Sequence, residues 1–581
     1  MRLLFFRDFI TFNVFIIFCV LISHAFAQGR IPDFSASELQ LQQQRERELR
    51  EQMESIPNVQ LDTREQQEQP NVRLPQTEEP CFDIQTLQLT GELSDRFQWA
   101  LRAANKDAQG KDDIATNRCL SSQGINIVMG RIQNAIIQRG YVTTRVVAPE
   151  QDLASGTLSL VVIPGYVHQI RWADEMSGKT ASWRTALPMR EGDLLNLRDL
   201  EQGLEMLKRV PTAEADIQIE PGDDPGQSDL VITRSQRFPF RLNVSIDDGG
   251  SKSTGRYQGG LTFSYDNWLN LNDLFYISLN HDIGDANGGG SRGHTIHYSV
   301  PFRGNWLFSV NGSYYHYDQL IQGINQQYKY SGNSRNFDMS VSRRLFRTST
   351  IRTNVYFKGW TRNSHNYIED TEIEVQRRRT SGWEIGADYR QYLGNSILNA
   401  GLSYRRGTGA NRAIRAPEEA YGGGTSRMEI INLNATLSAP VQIANQSFRY
   451  FGTLRSQWNG TPLTSQDQFS IGGRYTVRGF DGRVNLMGDR GWLIRNDFGW
   501  IVPNTNHELY LGVDYGEVSG PATQYQVGRS LSGAVIGLRG SIATTQYGYF
   551  SYDVFTGTWL KKPSGFEASK YVAGFNLNLA F

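Results

Sequence analysis

From Phe238 to the carboxy terminus, apolar and polar residues alternate with a period of two. Turn signals such as Asn272-Asp273 and Gly332-Asn333 separate runs of strand length. About 345 residues at roughly 20 per strand and connection allow roughly 16 strands. The chain is therefore predicted to be mainly β, with a transmembrane antiparallel barrel over residues 237–581. The apolar positions include Phe263, Tyr265, Phe275, Ile277, Leu279, Phe308, Val310, Ile430, Leu433 and Leu437.

The carboxy-terminal run is the clearest strand. One face carries small or polar residues, and the other carries an apolar residue at every second position and ends on Phe581. A soluble β-sandwich would also explain the alternation. It would not explain the final aromatic residue, the number of strands and an export signal together. The apolar face consists of Tyr571, Ala573, Phe575, Leu577, Leu579 and Phe581.

Between residues 81 and 236 the period changes, and two units of similar size follow each other. In each unit a strand leads into two helices and then into two further strands. This internal repeat predicts two small α+β domains, at residues 81–165 and 166–236. The apolar stripes of the longer helices are Ile125, Val128, Ile132 and Ile136 in the first unit and Leu197, Leu200, Leu204 and Leu207 in the second.

The amino terminus has the three parts of a secretory signal peptide. Arg2 and Arg7 form the basic region, residues 9–22 are almost wholly apolar, and Ala25-Phe26-Ala27 fits a cleavage site. An uncleaved membrane anchor is the alternative interpretation of this stretch. Residues 1–27 are predicted to be removed on export, so that the mature chain begins at Gln28.

Cleavage would remove Cys19 and leave two cysteines, Cys81 and Cys119. Two thiols in an oxidising compartment predict a disulfide. In the chain-entropy model, closing this loop would stabilise the fold by about 4 kcal/mol. A zinc site is disfavoured, because no second pair of Cys or His stands at ligand spacing.

Residues 28–56 contain a polar helix, predicted over Ser35–Ile56. Ser35 and Glu38 fit a capping box, and the residues that follow have high helix propensity. The few apolar residues share no face, so the helix fits a wet cavity or no fixed place. Residues 57–80, with prolines among Gln and Glu, are interpreted as a linker. A disordered tail is the alternative.

Charge and motifs argue against several classes of function. Lys plus Arg and Asp plus Glu both number 59, so no net basic field favours nucleic acid. Gly178-Lys179-Thr180 lacks the leading glycine of a phosphate loop, because Ala173 stands in that place. The G-x-S-x-G match at 289–293 precedes a strand, whereas an esterase needs a helix there. No catalytic, metal or cofactor site is predicted, and the chain is interpreted as a non-enzyme.

One stretch within the barrel region has a composition of its own. Residues 471–482 contain four glycines, with Val477, Arg478, Gly479 and Phe480 at the centre. The glycines predict a tightly folded loop, and a long ordered loop that carries hydrogen-bond donors favours a functional role. A surface hairpin that happens to contain arginine is the alternative.

The Val477-Arg478-Gly479-Phe480 motif, followed by Gly488-Asp489-Arg490-Gly491, resembles the inward-folded sixth loop of the two-partner secretion transporters. The whole mature chain resembles this family in the order of its parts. The resemblance implies a removable pore-plug helix at 28–56, two polypeptide-transport-associated (POTRA) domains, and an inward loop around 471–491. Phe581 resembles the signal by which outer-membrane barrels are recognised for assembly.

The resemblance also implies a function. Such a protein would capture one large unfolded exoprotein in the periplasm, through that protein's amino-terminal secretion domain, and translocate it across the bacterial outer membrane without ATP. The cargo would be an adhesin, a haemolysin or a contact-dependent growth-inhibition toxin. Outer-membrane lipid and the barrel-assembly machinery would be further partners, and no cofactor is implied.

The second small domain is predicted to receive the cargo. A free sheet edge beside a helix groove can accept an extended chain by strand addition. The candidate groove residues are Leu197, Leu200, Leu204 and Ile217. The alternative is that both small domains are structural spacers.

Arg478 needs a carboxylate on the barrel wall, because an unpaired charge in a partly desolvated lumen is costly. Asp514 is the best candidate, since Val513 and Tyr515 would set the lipid face and leave Asp514 inward. The family pairs this arginine with an aspartate in a matching strand motif. Asp489 and Glu517 are the alternatives.

Two other functions remain open at this point. A barrel-assembly insertase of the same superfamily would keep a seam that unzips, and it would usually lack the plug helix. A passive porin would have no need of the two small domains. Both are less favoured than a secretion transporter.

Overall fold

The computed structural model describes residues 34–54, 57–61, 73–107, 109–175, 178, 181–284, 288–544 and 548–581. The predicted signal peptide, and residues 62–72 of the predicted linker, lie outside these ranges. The described chain forms a closed 16-stranded barrel, preceded by one long helix and by two small domains that contain three small sheets between them.

The long helix, α1, runs from Phe34 to Met53, so it begins one residue before the predicted Ser35 and ends before the predicted Ile56. Its sequence explains why it forms no core of its own, since Gln, Glu and Arg residues lie on every side. None of the helices in the described parts of the chain is long and apolar enough to cross a membrane.

The first small domain contains a three-stranded sheet in which β5 lies between its parallel partner β2 and its antiparallel partner β4. Short 3-10 segments, Ser94–Arg96 and Gln98–Asn105, take the place of the first of the two helices predicted for this unit. A disulfide joins Cys81 to Cys119, with the two Cα atoms 5.3 Å apart. The elements are β1 (Phe82–Ile84), β2 (Thr86–Gly91), β3 (Arg118–Leu120), α2 (Ser122–Gln138), β4 (Arg145–Val147) and β5 (Thr157–Ile163).

A buried ion pair fastens the loop before β3 to α2. Asp113 accepts hydrogen bonds from the Leu74 N–H at 2.9 Å and from Arg131 Nη2 at 2.5 Å. Burial opposes ionisation, but these donors and Arg118 outweigh it and lower the pKa of Asp113 to about 2.

The second small domain repeats this arrangement, with β8 between its parallel partner β6 and its antiparallel partner β7. Strand β7 is therefore an edge strand. Leu197 and Leu200 pack from α4 into the core of this sheet. The elements are β6 (Tyr166–Trp172), α3 (Trp183–Ala186), α4 (Leu197–Leu207), β7 (Ala213–Pro221) and β8 (Gln227–Gln236).

The barrel is an antiparallel meander that closes by pairing its last strand, β27, with its first, β9. Its strands are β9 (Phe240–Asp247), β10 (Gln258–Asp266), β11 (Leu274–Asp282), β12 (Gly290–Phe302), β13 (Trp306–Gln322), β14 (Gln327–Arg347), β15 (Ile351–Ile368), the short β16 (Thr371–Glu372), β17 (Arg378–Leu393), β18 (Ser396–Thr408), β19 (Glu429–Ile443), β20 (Gln446–Asn459), the loop strands β21 (Phe469–Ile471) and β22 (Leu486–Gly488), β23 (Arg490–Ile501), β24 (His507–Ser519), β25 (Ser530–Ala543), β26 (Tyr549–Lys561) and β27 (Val572–Ala580).

Side chains alternate between the outer and inner faces of the barrel, as the period of two requires. On β24, Leu511 and Val513 are 61% and 51% exposed, whereas Asp514 is 1% exposed. Ile430, one of the apolar residues of the predicted strands, faces the inside of the barrel. It is buried with Trp360, Met428 and Leu463, because its neighbour Ile431 takes the outward position on β19.

The connections of the barrel fall into two groups. Odd-numbered turns along the meander lie at the far end of the barrel, away from the small domains, and even-numbered turns lie at the end that meets the second small domain. The turn after β12 contacts this domain directly, since Gly304 O accepts from Gln202 Nε2 of α4 at 2.8 Å. Residues 460–489, between β20 and β23, form the sixth connection on the far side.

Candidate functional site: an arginine loop and a helix inside the barrel

The sixth far-side loop folds back into the barrel. Its two arms pair as β21 and β22, with Ile471 opposite Leu486. Beyond them Val477 and Phe480 are 0% and 3% exposed, and they pack against apolar residues of the inner wall. Phe480 meets Phe566 edge to face, with ring centroids 5.7 Å apart. This apolar cluster fixes the loop tip against strands β23 to β25.

Arg478 sits next to this cluster and is 3% exposed. Its Nε and Nη2 atoms donate to the two carboxylate oxygens of Asp514, each at 2.8 Å, and its backbone N–H donates to Asp514 Oδ2 at 2.9 Å. The guanidinium is thus bound in the bidentate manner that suits arginine better than lysine.

Three glycines make this close approach possible. At Gly479 a Cβ would overlap the carbonyl oxygen of Thr558, and φ is +96°, which favours glycine. At Gly533 a Cβ would overlap the carbonyl oxygen of Arg478. At Gly512 it would lie 2.7 Å from Arg478 Nη2. The wall strands therefore leave room for the loop backbone as well as for the guanidinium.

A second carboxylate, which the sequence did not single out, completes the site. Asp497 of β23 accepts from Arg478 Nη2 at 2.5 Å and from Arg539 Nη1 at 3.2 Å. Arg539 in turn donates to Glu508 Oε1 at 2.6 Å. The period of two along β23 places Asp497 on the inner face with the buried Leu493, and this parity was the signal that could have found it.

The two alternative partners of Arg478 have other roles. Asp489 is buried at the base of the loop, where its Oδ1 accepts from the Leu463 N–H at 3.0 Å. Glu517 accepts a hydrogen bond from the Tyr515 hydroxyl at 3.1 Å. Neither contacts Arg478 in the described structure.

Arg474, a further loop residue that the sequence did not single out, reaches the barrel seam. It donates to Asp248 Oδ1 at 2.5 Å and to the carbonyl oxygen of Phe575 at 2.7 Å. Asp248 directly follows β9, and Phe575 belongs to β27. The loop therefore contacts the two strands whose pairing closes the barrel.

Helix α1 lies inside the barrel, and its amino-terminal half contacts the far side. Gln40 Nε2 donates to the carbonyl oxygens of Ser465 at 3.2 Å and Gln468 at 2.9 Å, both in the sixth loop. Glu38 Oε2 accepts from Thr254 Oγ1 at 2.9 Å and from the Tyr315 hydroxyl at 3.2 Å.

The other end of α1 reaches the second small domain. Met53 packs with Val210 and Ala213 of that domain and with Leu274 of the wall. Glu54, just beyond the helix, accepts from the Tyr276 hydroxyl at 3.3 Å. A helix of this length extends about 30 Å, so α1 connects the sixth loop to the small domains through the lumen.

The helix does not fill the lumen. A cavity of about 860 Å³ lies between α1 and the wall near β9 and β24, and another of about 380 Å³ lies on the side of β17 to β20. Both are lined mainly by charged and amide side chains, so the lumen is suited to water and to polypeptide. Within the described ranges, no group of three His, Cys, Asp or Glu side chains could hold a metal ion.

The remaining candidate residues lie in three places. Leu197, Leu200 and Leu204 are 3%, 1% and 5% exposed, so they do not line an open groove in this state. Ile217 is partly buried on the edge strand β7. Phe581 is 47% exposed, and its backbone N–H donates to Leu242 O at 2.9 Å across the seam.

Comparisons with known proteins agree with this architecture. The model of the haemolysin secretion/activation protein family ShlB/FhaC/HecB matches residues 226–540. A ShlB-type POTRA model matches residues 96–165, and a second POTRA model matches residues 166–221.

Individual relatives extend the match over nearly the whole chain. The outer membrane transporter CdiB-2 of Burkholderia pseudomallei is 37% identical over 553 residues, which cover 93% of each chain. CdiB of Dickeya dadantii is 28% identical, over 86% of this chain and 87% of its own length. The solved structure of CdiB from Acinetobacter baumannii is 29% identical and superposes with a TM-score of 0.80, covering 95% of this chain and all of its own.

Proposed function

Because the chain belongs to the family of haemolysin secretion and activation proteins, we propose that its cargo is a large exoprotein of the contact-dependent growth-inhibition class. The chain is an outer-membrane transporter of the two-partner secretion type, and its POTRA domains lie in the periplasm. All three relatives described above carry the name CdiB. This favours the growth-inhibition class over an adhesin or a haemolysin.

The exoprotein enters from the periplasm as an extended chain. The lumen holds α1 and the sixth loop, and the two cavities beside them are polar, which suits an unfolded chain with its exposed amides. The protein acts as a conduit and catalyses no reaction. Folding of the cargo outside the cell supplies the direction of transport, and no ATP is used. Outer-membrane lipid and the barrel-assembly machinery are its other partners, and nucleic acid is not.

The observation that carries this function is the position of α1. A helix that is polar on every side lies in the lumen and bonds the sixth loop through Gln40. A passive porin has no use for such a plug, whereas a transporter needs a closed state when no cargo is present. In this proposal Arg478 and Asp514 form a latch that holds the sixth loop in its secretion-competent position, with Val477, Gly479 and Phe480 fitted to the wall.

A secretion assay tests the cargo class. The chain is produced in a bacterium without another two-partner system, together with the amino-terminal secretion fragment of either a growth-inhibition exoprotein or a haemolysin. Immunoblotting of the medium measures export, and cells without the transporter are the control. Export of the growth-inhibition fragment alone is expected. Export of only the haemolysin fragment, or of neither, would overturn the assignment.

A further inference from the structure

A short segment between α1 and the first POTRA domain lies along helix α4, on the periplasmic side of the barrel. In this segment, residues 57–61, Val59 and Leu61 are half-buried, whereas Asn58 and Gln60 are exposed. The alternation is that of an extended chain with one face on a surface. Leu61 packs against the core of the second POTRA domain.

Two carboxylates of α4 bind the backbone of this segment. The Val59 N–H donates to Glu205 Oε1 at 3.1 Å, and the Leu61 N–H donates to Glu201 Oε1 at 2.9 Å. Residues four apart on a helix are about 6 Å apart along its axis, and residues two apart in an extended chain are about 6.6 Å apart. The two spacings match, so the helix presents one acceptor to every second N–H of an extended chain.

Two arginines that flank the turn between β14 and β15 complete the contacts. Arg347 Nη2 and Arg352 Nη2 donate to the Val59 carbonyl oxygen at 2.7 Å and 3.0 Å. Arg347 also holds both carboxylates in place, through Glu201 Oε2 at 3.0 Å and Glu205 Oε2 at 2.7 Å. We call this group of Glu201, Glu205, Arg347 and Arg352 the α4 ledge.

The ledge binds mainly the main chain of its occupant. The side chains of the segment add fewer bonds. Asn58 accepts from Arg352 Nη2 at 2.6 Å and from the Tyr392 hydroxyl at 2.7 Å, Gln60 Nε2 donates to the Ser349 carbonyl oxygen at 3.1 Å, and Leu61 fills an apolar position. The N–H and carbonyl groups of Val59 would be offered in the same way by almost any residue except proline. A site of this kind tolerates many sequences, provided that the chain is extended.

We propose that the α4 ledge is a binding site for extended polypeptide, which the chain's own segment 57–61 occupies at rest and which an extended segment of the exoprotein takes over during transport. The identity of the incoming chain rests on the proposed function. The side chains of Asn58 and Gln60 are exposed apart from their bonds to the rim of the barrel, so departure of the segment breaks these bonds and uncovers the ledge.

Replacement of segment 57–61 by the cargo would also loosen helix α1, the plug. Only residues 55 and 56 separate Glu54, which anchors the end of α1 on Tyr276, from Pro57 at the start of the bound segment. Displacing the segment therefore removes the nearest fixed point of the helix. Because the tethered segment acts at a millimolar effective concentration, a cargo must bind at further positions as well in order to displace it.

A peptide added in trans tests the site. The probe is a fluorescent peptide with residues 56–66 of this chain, and anisotropy measures its binding to the full mature protein in detergent. In the protein, the substitution Val59→Pro removes the N–H that donates to Glu205. It therefore loosens the tethered segment and leaves the ledge intact. Gln60→Pro is the matched control, because the Gln60 N–H donates to no acceptor among the described residues, and the only bond of its side chain there is the exposed one from Nε2 to the Ser349 carbonyl oxygen. We expect Val59→Pro to bind the probe about tenfold more tightly than the wild type or Gln60→Pro.

Two further arms test what the ledge recognises. Adding Glu205→Ala, which removes the acceptor, to Val59→Pro should abolish the gain in affinity, and a probe with proline in place of its own valine should not bind. The secretion fragment of the exoprotein should displace the bound probe. Equal binding by all variants, or a fragment that leaves the probe in place, would overturn the proposal. The measurements with the peptide probe need no cargo, so their outcome does not depend on the outcome of the secretion assay.

Discussion

Replacing Arg478 with alanine should release the sixth loop from the barrel wall. The change removes two side-chain hydrogen bonds to Asp514 and one to Asp497, and leaves the backbone bond to Asp514 in place. Removing one member of a buried ion pair costs about 3–5 kcal/mol. A cost of that size shifts the balance between the bound and released loop by more than about a hundredfold.

The free energy lost when each partner of Arg478 is replaced should follow the number of hydrogen bonds that the partner accepts. Asp514→Ala leaves Arg478 with a single carboxylate. We expect it to weaken the binding of the loop to the wall almost as much as Arg478→Ala does. Asp497→Ala keeps the bidentate pair with Asp514 and should cost about 1–2 kcal/mol. The double variant, Arg478→Ala with Asp514→Ala, should lose less binding free energy of the loop than the two single variants added together. The coupling energy should be about 1–3 kcal/mol.

Hydrogen exchange of residues 472–485 and export of the cargo provide the two readouts. Arg483→Ala is the matched control, because it removes the same charge from the same loop, where the side chain is 52% exposed and its pair with Asp481 is long, at 3.7 Å. Exchange should accelerate about a hundredfold in Arg478→Ala and hardly at all in the control, while heat-modified migration in gels confirms a folded barrel. Additive losses, or full export by Asp514→Ala, would refute the latch.

Three further outcomes follow from the structure. Deletion of residues 31–56 should raise single-channel conductance in planar bilayers, and an unchanged conductance would remove the plug role. Ile217→Pro should weaken binding of the secretion fragment through the β7 edge while the barrel still assembles, and normal binding would favour a spacer. Asp113→Asn should destabilise the periplasmic domains by about 2 kcal/mol at neutral pH, unlike the exposed Asp112→Asn. Because the folded pKa of Asp113 lies below the unfolded value of ~3.9, this difference should disappear as the pH falls through about 2.

The alternation of side chains carried most of the information about the barrel. A one-residue error in parity would turn every side chain to the other face, so the sequence could place Asp514 inside from its neighbours alone. Ile430 shows the limit of that reasoning, because two adjacent isoleucines, Ile430 and Ile431, leave the parity undecided. The structure resolves it through Trp360 and Leu463, which are distant in sequence.

What the sequence could not show is which surfaces face each other. The prediction that the leucines of α4 form one apolar face is correct. The sequence of that face does not indicate whether it lines an open groove or packs into a core. A neighbouring face of the same helix carries Glu201 and Glu205, and it is covered by the end of β14, where Arg347 lies. Contacts between elements so far apart in the chain leave no local pattern.

Residues 57–61 and helix α1, which must move during transport, are held by different interactions from those that hold the tip of the sixth loop. Residues 57–61 are held mostly by hydrogen bonds to charged groups, and α1 adds a few apolar contacts, at Leu39, Leu49 and Met53. Water or an incoming chain can replace such bonds at little net cost, whereas the apolar cluster around Val477 and Phe480 has no polar substitute. We therefore expect hydrogen exchange to be fastest in 57–61, slower in α1 and slowest in the tip of the sixth loop. Faster exchange in the loop tip than in α1 would mean that the latch, and not the plug, opens first.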